Sequence, residues 1–194
     1  MSKKISTEKL YWIIEATHEL RKSRGGYVAA STLFEGARDS LQLLKPFHPV
    51  LLGGFAVGVY AEPRATQDFD LTLLSEDFQA AQRALLQAGF VQTRITDFKG
   101  VYLYHFEREG FLLDILQFLN SQFQLELVKR STPTQMWGED LSVISLEDLI
   151  VTKLLSFRTR DQNDILLLLG ANPAIDFERI KVALQDLKIF DLSN

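Results

Sequence analysis

Asp68 and Asp70 stand two positions apart in the run Asp68-Phe69-Asp70-Leu71-Thr72, which reads as a β-strand. Side chains alternate between the faces of a strand, so Asp68, Asp70 and Thr72 share one face, and Phe69, Leu71 and Leu73 take the core side. Two carboxylates held side by side repel each other, and no fold requires them. A divalent cation does, because hard oxygen ligands are what Mg2+ selects. Upstream, Gly53-Gly54 precede an apolar helical segment, Phe55 to Tyr60, with Pro63 as a turn before the strand. Backbone N–H groups at such a helix start form a phosphate site, and glycine admits a phosphate closely. Phosphate cradle and carboxylate pair together point to a protein that handles nucleotides.

The pattern Gly53-Gly54-x-Ala56 with Tyr60, then Arg64-x-Thr66-x-Asp68-x-Asp70-Leu71, resembles the nucleotidyltransferase fold of DNA polymerase beta-like and minimal nucleotidyltransferases. Within it the chain most resembles the AbiEii/AbiGii-type toxin family. A second block, Glu147-Asp148-Leu149-Ile150 with Lys153, then Arg160-Asp161 and Asp164, extends the resemblance over roughly Leu51 to Leu169. Many transferases of this fold carry Gly-Ser where this chain has Gly53-Gly54, which removes one hydroxyl ligand to the phosphate.

The resemblance implies an α/β fold, a small mixed sheet flanked by helices, with additional N- and C-terminal helices. At 194 residues the chain reads as a single domain, with a helical part at 1–46, the sheet core at 47–120 and a second helical part at 121–194. The resemblance carries a functional expectation too. It implies transfer of a nucleotidyl group from an NTP to a hydroxyl acceptor with Mg2+ or Mn2+. The acceptor is left open among a tRNA end, a protein and a small molecule, and a cognate antitoxin is an expected partner in a toxin–antitoxin or phage-defence setting. A non-catalytic nucleotide- or RNA-binding module on the same fold is the alternative.

Asp68 and Asp70 are then the metal ligands, and Gly53, Gly54, Arg64 and Thr66 line the nucleotide. Asp114, in the apolar run Leu112-Leu113-Asp114-Ile115-Leu116, is costly there unless paired or metal-bound. It fits the third carboxylate of the fold, or else a structural partner of a buried arginine such as Arg64. Lys153 lies in the apolar face of a helix opened by Ser145 and should meet a phosphate or a carboxylate, or snorkel to solvent. Asp161 and Asp164 read either as cap and first-turn residues of a following helix or as nucleotide-site residues.

Composition narrows the classes further. The 194 residues contain no cysteine, which excludes disulfides, thiolate metal sites and cysteine nucleophiles. A net charge of −4 argues against a generally basic nucleic-acid-binding surface. No stretch reaches the ~18 apolar residues of a membrane span, and the expected location is the cytoplasm. The N-terminal helix, expected over Ser6 to Arg24, reads as packing material with basic ends.

Overall fold

The computed structural model describes residues 7–23, 30–98 and 100–187. Lys3, Lys4 and Arg24 at the basic ends of the first helix lie outside the described residues, as do the side chains of His18, Arg21 and Lys22. Seven strands form one mixed sheet in the order β3-β4-β5-β2-β1-β7-β6. The strands are β1 (Val50–Leu51), β2 (Asp68–Thr72), β3 (Val91–Phe98), β4 (Val101–Arg108), β5 (Phe111–Phe118), β6 (Thr132–Met136) and β7 (Glu139–Val143). The helices are α1 (Thr7–Ser23), α2 (Ala30–Leu44), α3 (Gly53–Tyr60), α4 (Ser75–Gln87), α5 (Ser121–Arg130), α6 (Leu146–Ser156), α7 (Thr159–Ala171) and α8 (Phe177–Asp186). This is the α/β class expected, a mixed sheet flanked by helices.

The central feature is the parallel pairing of β2 with β5, which sets Asp68 opposite Leu112, Asp70 opposite Asp114 and Thr72 opposite Leu116. Alternation then sorts the side chains into two faces. Phe69, Leu71, Leu113 and Ile115 point into the core and are at most 1% exposed. Asp68, Asp70 and Asp114 share the other face.

β4 and β5 form a hairpin through Glu109-Gly110, both with positive φ (53° and 82°). A two-residue loop with this backbone matches the twist of the strands and fixes their register. His105 is thereby set opposite Asp114, and Leu103 opposite Leu116. Antiparallel β3 adds an outer strand, with Arg94 opposite His105 and a register shift between Gln92 and Arg94. Asp97, which reads as a turn residue in sequence, pairs within this strand opposite Tyr102. The other end of the sheet is the β6–β7 hairpin, and Pro133 is tolerated because β6 is an edge.

α2 packs on the core face of β5, and Gly36 makes this approach close: a Cβ there would lie 2.3 Å from Phe111 Cγ. α1 is tied to the loop ahead of β2 by Lys9 Nζ, 3.2 Å from the Ala61 carbonyl, and by the Thr17 hydroxyl. Thr17 Oγ1 lies 2.6 Å from the Thr66 carbonyl and accepts the Thr66 N–H at 3.1 Å. α6 begins at the expected cap, with Ser145 Oγ accepting the Asp148 N–H. Asp148 is fully buried and receives Arg130 of α5 through two hydrogen bonds of 2.9 and 3.0 Å. No helix of the described residues is long and apolar enough to cross a membrane.

The Gly36 contact yields a measurable expectation. Gly36→Ala overpacks the α2–β5 seam and lowers stability by about 1–3 kcal/mol, with the loss shrinking when Phe111 is also shortened to Leu. Urea melts of the two single variants and the double variant give the coupling.

Candidate active site

Asp68 and Asp70 on β2 and Asp114 on β5 converge on the open face of the sheet. One carboxylate oxygen from each lies within 4.8 Å of the others. Burial and the charges of Asp68 and Asp114 push the Asp70 carboxyl well above its ordinary value. Burial, followed by the charge of Asp68, pushes Asp114 up to about 6. The His105 side chain works in the opposite direction on Asp114. Three crowded oxygen donors, of which Asp70 and Asp114 resist carrying their negative charge, fit a small divalent cation, which supplies the missing positive charge.

The glycine pair is set by this cluster. Gly53 has φ +66°, and a Cβ on it would fall 1.7 Å from Asp70 Oδ2, so no other residue fits without moving the carboxylate. Gly54 donates its backbone N–H to Asp70. A Cβ on Gly54 would meet Thr66 Oγ1 at 2.5 Å, so the Thr66 side chain occupies the space into which a serine at position 54 would project. That is the steric reason this chain has Gly-Gly. Thr66 itself is buried beside the cluster.

A cleft of about 640 Å3 opens over the three carboxylates. Gly53 and Gly54 line one part of it, and β3 and β4 contribute Arg94, Thr96, Leu103 and His105. The C-terminal helices contribute Lys153, Arg158 and Arg160. Arg158 and Arg160 are exposed at the start of α7.

The second sequence block serves largely to hold the helices together. Lys153 is buried, with its ammonium 2.8 Å from Asp164 and 3.1 Å from Asp161. Arg64 grips Asp164 through Nε and Nη2, each at 2.5 Å. It therefore does not reach Asp114, whose partner is His105 at 2.8 Å. Asp161 also accepts from Ser156 at 2.7 Å and from Arg158 Nε at 2.8 Å. Asp161 sits at the third helical position of α7, with Arg158 as the cap residue, rather than at the cap itself. Burial alone would raise both carboxyls. The hydrogen bonds of Arg158 and Ser156 to Asp161, those of Arg64 and Lys153 to Asp164, and the Lys153 charge outweigh it and hold both low. Thus Lys153, Arg64, Asp161 and Asp164 form one buried ionic cluster on the cleft wall.

His105 escapes a reading of the sequence as motifs, although the signal was present. The two-residue turn at Glu109-Gly110 places it opposite Asp114 by counting alone. Its ring bridges the carboxylate and the outer strand: Nδ1 lies 2.8 Å from Asp114 Oδ1, and Nε2 lies 3.0 Å from Thr96 Oγ1 and 3.3 Å from Arg94 Nη2.

Known structures share this architecture. ANT(2")-Ia, solved in complex with adenylyl-2"-tobramycin, superposes over 81% of this chain and 96% of its own, with a TM-score of 0.53 at 14% identity. TM1012 from Thermotoga maritima, provisionally assigned as a nucleotidyltransferase, matches 71% of this chain and 92% of its own, with a TM-score of 0.51 at 15% identity. The chain has the nucleotidyltransferase fold. No protein-family model and no curated protein matches the sequence, so the likeness is one of architecture.

The ionic cluster predicts how Lys153→Met behaves. Asp161 and Asp164 are held below their ordinary value of 3.8, so the stability they contribute is present above that pH and lost as pH falls through the folded-state values. Removing the ammonium should cost about 3–5 kcal/mol at neutral pH. The gap to wild type should narrow in acid, as thermal melts from pH 7 to pH 3 would record.

Proposed function

We propose that the chain is a nucleotidyltransferase that moves a nucleotidyl group from an NTP to a hydroxyl acceptor, with Asp68, Asp70 and Asp114 as its metal site. The observation that carries this reading is the convergence of three carboxylates from two adjacent parallel strands at the floor of an open cleft. The fold agrees, and so does the crowding that raises Asp70 and Asp114.

Asp68 and Asp70 would hold Mg2+ or Mn2+ against the triphosphate, and Asp114 would serve the acceptor side. A bound divalent ion neutralises charge on the transferring phosphoryl group and its leaving pyrophosphate. The residues do the rest. The acceptor oxygen forms a bond to the α-phosphorus as the bond to the β-phosphate oxygen breaks, and Asp114 takes the hydroxyl proton. Gly53 and Gly54, whose missing side chains make way for Asp70 and Thr66, line the cleft at the start of α3 and would cradle the phosphates there. Lys153 and Arg64 act on the site through Asp161 and Asp164, bracing the wall, while Arg158 and Arg160 are the exposed cations facing the triphosphate.

The acceptor bears a hydroxyl, as in a tRNA end, a protein or a small molecule. Arg94, on the β3 side of the cleft, is a positive charge that an anionic acceptor such as a tRNA end would meet. A toxin–antitoxin or phage-defence setting, with a cognate antitoxin, follows from the motif resemblance alone, and a cytoplasmic location is the expectation from the sequence. One observation favours a non-catalytic nucleotide- or RNA-binding module instead. Gly54 stands where many transferases of this fold carry serine, and Thr66 fills the space that serine would enter, so one hydroxyl ligand to a reacting phosphate is missing. Release of pyrophosphate from ATP in the presence of a cell extract and Mg2+ separates the two.

Asp68→Asn and Asp70→Asn should leave the fold intact and weaken Mg2+-dependent ATP binding at least tenfold. Each should lower turnover by about 10^3-fold, a few kcal/mol of charge stabilisation. Calorimetry with Mg2+ and with EDTA reads the first effect, and ATP binding equally insensitive to metal in wild type and both variants would overturn the site.

Asp114 gives a pH test in the metal-free protein. A carboxyl raised from 3.8 to about 6 on folding contributes stability that is present below 3.8 and lost as pH rises through about 6. Asp114→Asn should therefore gain on wild type across that window in EDTA, and should lose the stabilisation wild type gains from Mg2+ with ATP. Thermal melts from pH 3.5 to pH 7 measure both.

A further inference from the structure

We infer that His105 is a positioning residue for the proposed transfer: its Nδ1–H holds Asp114 Oδ1 so that the other oxygen is the one offered to metal and acceptor. The inference rests on the metal-site reading above and extends it to a residue on a strand that carries none of the three carboxylates.

The geometry of the ring carries the argument. A guanidinium has donors only, so Arg94 Nη2, at 3.3 Å, requires His105 Nε2 to accept. Thr96 Oγ1, at 3.0 Å, can donate to the same nitrogen. With Nε2 accepting, the ring proton sits on Nδ1 and is donated to Asp114 Oδ1 at 2.8 Å. Two side chains of β3 thus set the tautomer of a β4 histidine, which orients a β5 carboxylate. The order of strands β3-β4-β5 makes this relay straight, with Arg94 opposite His105 and His105 opposite Asp114.

The relay sits where it can hold direction. The His105 side chain is 15% exposed and that of Asp114 is 6% exposed, so water has little access to replace the bond. One Asp114 oxygen lies within 4.8 Å of those of Asp68 and Asp70. With Oδ1 bonded to His105, Oδ2 is the oxygen assigned to that cluster position. Asp70 is held by a different donor, the Gly54 N–H. Asp114 has His105 in that role.

Partners that orient a metal-binding carboxylate typically change metal affinity or activity 10–100-fold when removed. The test uses Mn2+ as probe, read by electron paramagnetic resonance on the full-length protein without nucleotide. His105→Phe should weaken Mn2+ binding about tenfold or more, and His105→Asn, which keeps an amide N–H near the Nδ1 position, should recover much of it. In an Asp114→Asn background, His105→Phe should change Mn2+ affinity less than twofold. A merely structural histidine would weaken binding in both backgrounds alike. With ATP as substrate, His105→Phe should lower kcat while KM stays within about twofold.

Equal Mn2+ affinity in wild type, His105→Phe and His105→Asn, alongside a clear loss in Asp70→Asn, would overturn the role of His105 and leave the metal site standing. Mn2+ binding that is indifferent to Asp70→Asn and Asp114→Asn would overturn the metal site and this inference with it. If His105→Phe does not fold, as circular dichroism would show, the comparison is made with His105→Gln. That variant loses the Nδ1 donor, so wild-type Mn2+ affinity in it would overturn the inference.

Discussion

The parallel pairing of β2 with β5 is the constraint on which the rest depends. It joins two strands distant in sequence and puts Asp70 opposite Asp114, an arrangement that metal-free protein pays for in electrostatic repulsion. The surrounding structure absorbs that repulsion. Burial shifts the carboxyls toward their protonated forms, Gly54 donates an N–H to Asp70, and His105 donates to Asp114. Were β5 to slip by one residue, Leu113 or Ile115 would stand opposite Asp70 and Asp114 would turn into the core.

A second set of charges does different work. Arg64, Lys153, Arg158, Asp161 and Asp164 satisfy one another beneath the cleft wall. The two aspartates are one helical turn apart, i and i+3, and so face the same neighbour. Lys153 reaches both across the junction between α6 and α7, while Arg64 reaches Asp164 from the loop before β2. The cluster therefore fastens the sheet to the C-terminal helices at the point where both contribute to the site. The cations lining the cleft divide accordingly into Arg64 and Lys153, satisfied within the protein, and Arg158 and Arg160, exposed at the start of α7, with Arg158 exposed while it bonds Asp161.

Much of this was legible in the sequence, for identifiable reasons. The Asp68-x-Asp70 strand, the helix after Gly53 and the strand around Asp114 announce themselves because period-two alternation and an expensive buried carboxylate are local signals. The position of Lys153 was legible, but its partner was not: a lysine in an apolar helix face requires a negative group, and the sequence does not say whether ligand or protein supplies it. The stretch from Gln122 to Ser142 folds into α5, β6 and β7, where Pro133 obscures the strand because propensity cannot reveal that β6 lies at an edge. His105 was hidden for another reason. Its role follows from pairing register, which a motif search ignores and a two-residue turn encodes.

The bond between Thr17 and Thr66 bears on how small such a domain can be. α1 reads as an appendage, yet its Thr17 Oγ1 accepts the N–H of a residue two positions before Asp68 and lies 2.6 Å from that residue's carbonyl. Trimming the chain to begin at α2 would strip those backbone groups of their partner in a buried place and loosen the approach to the carboxylates. The first helix is thus part of the minimal unit, and a shorter descendant of this chain would have to find another hydroxyl for Thr66.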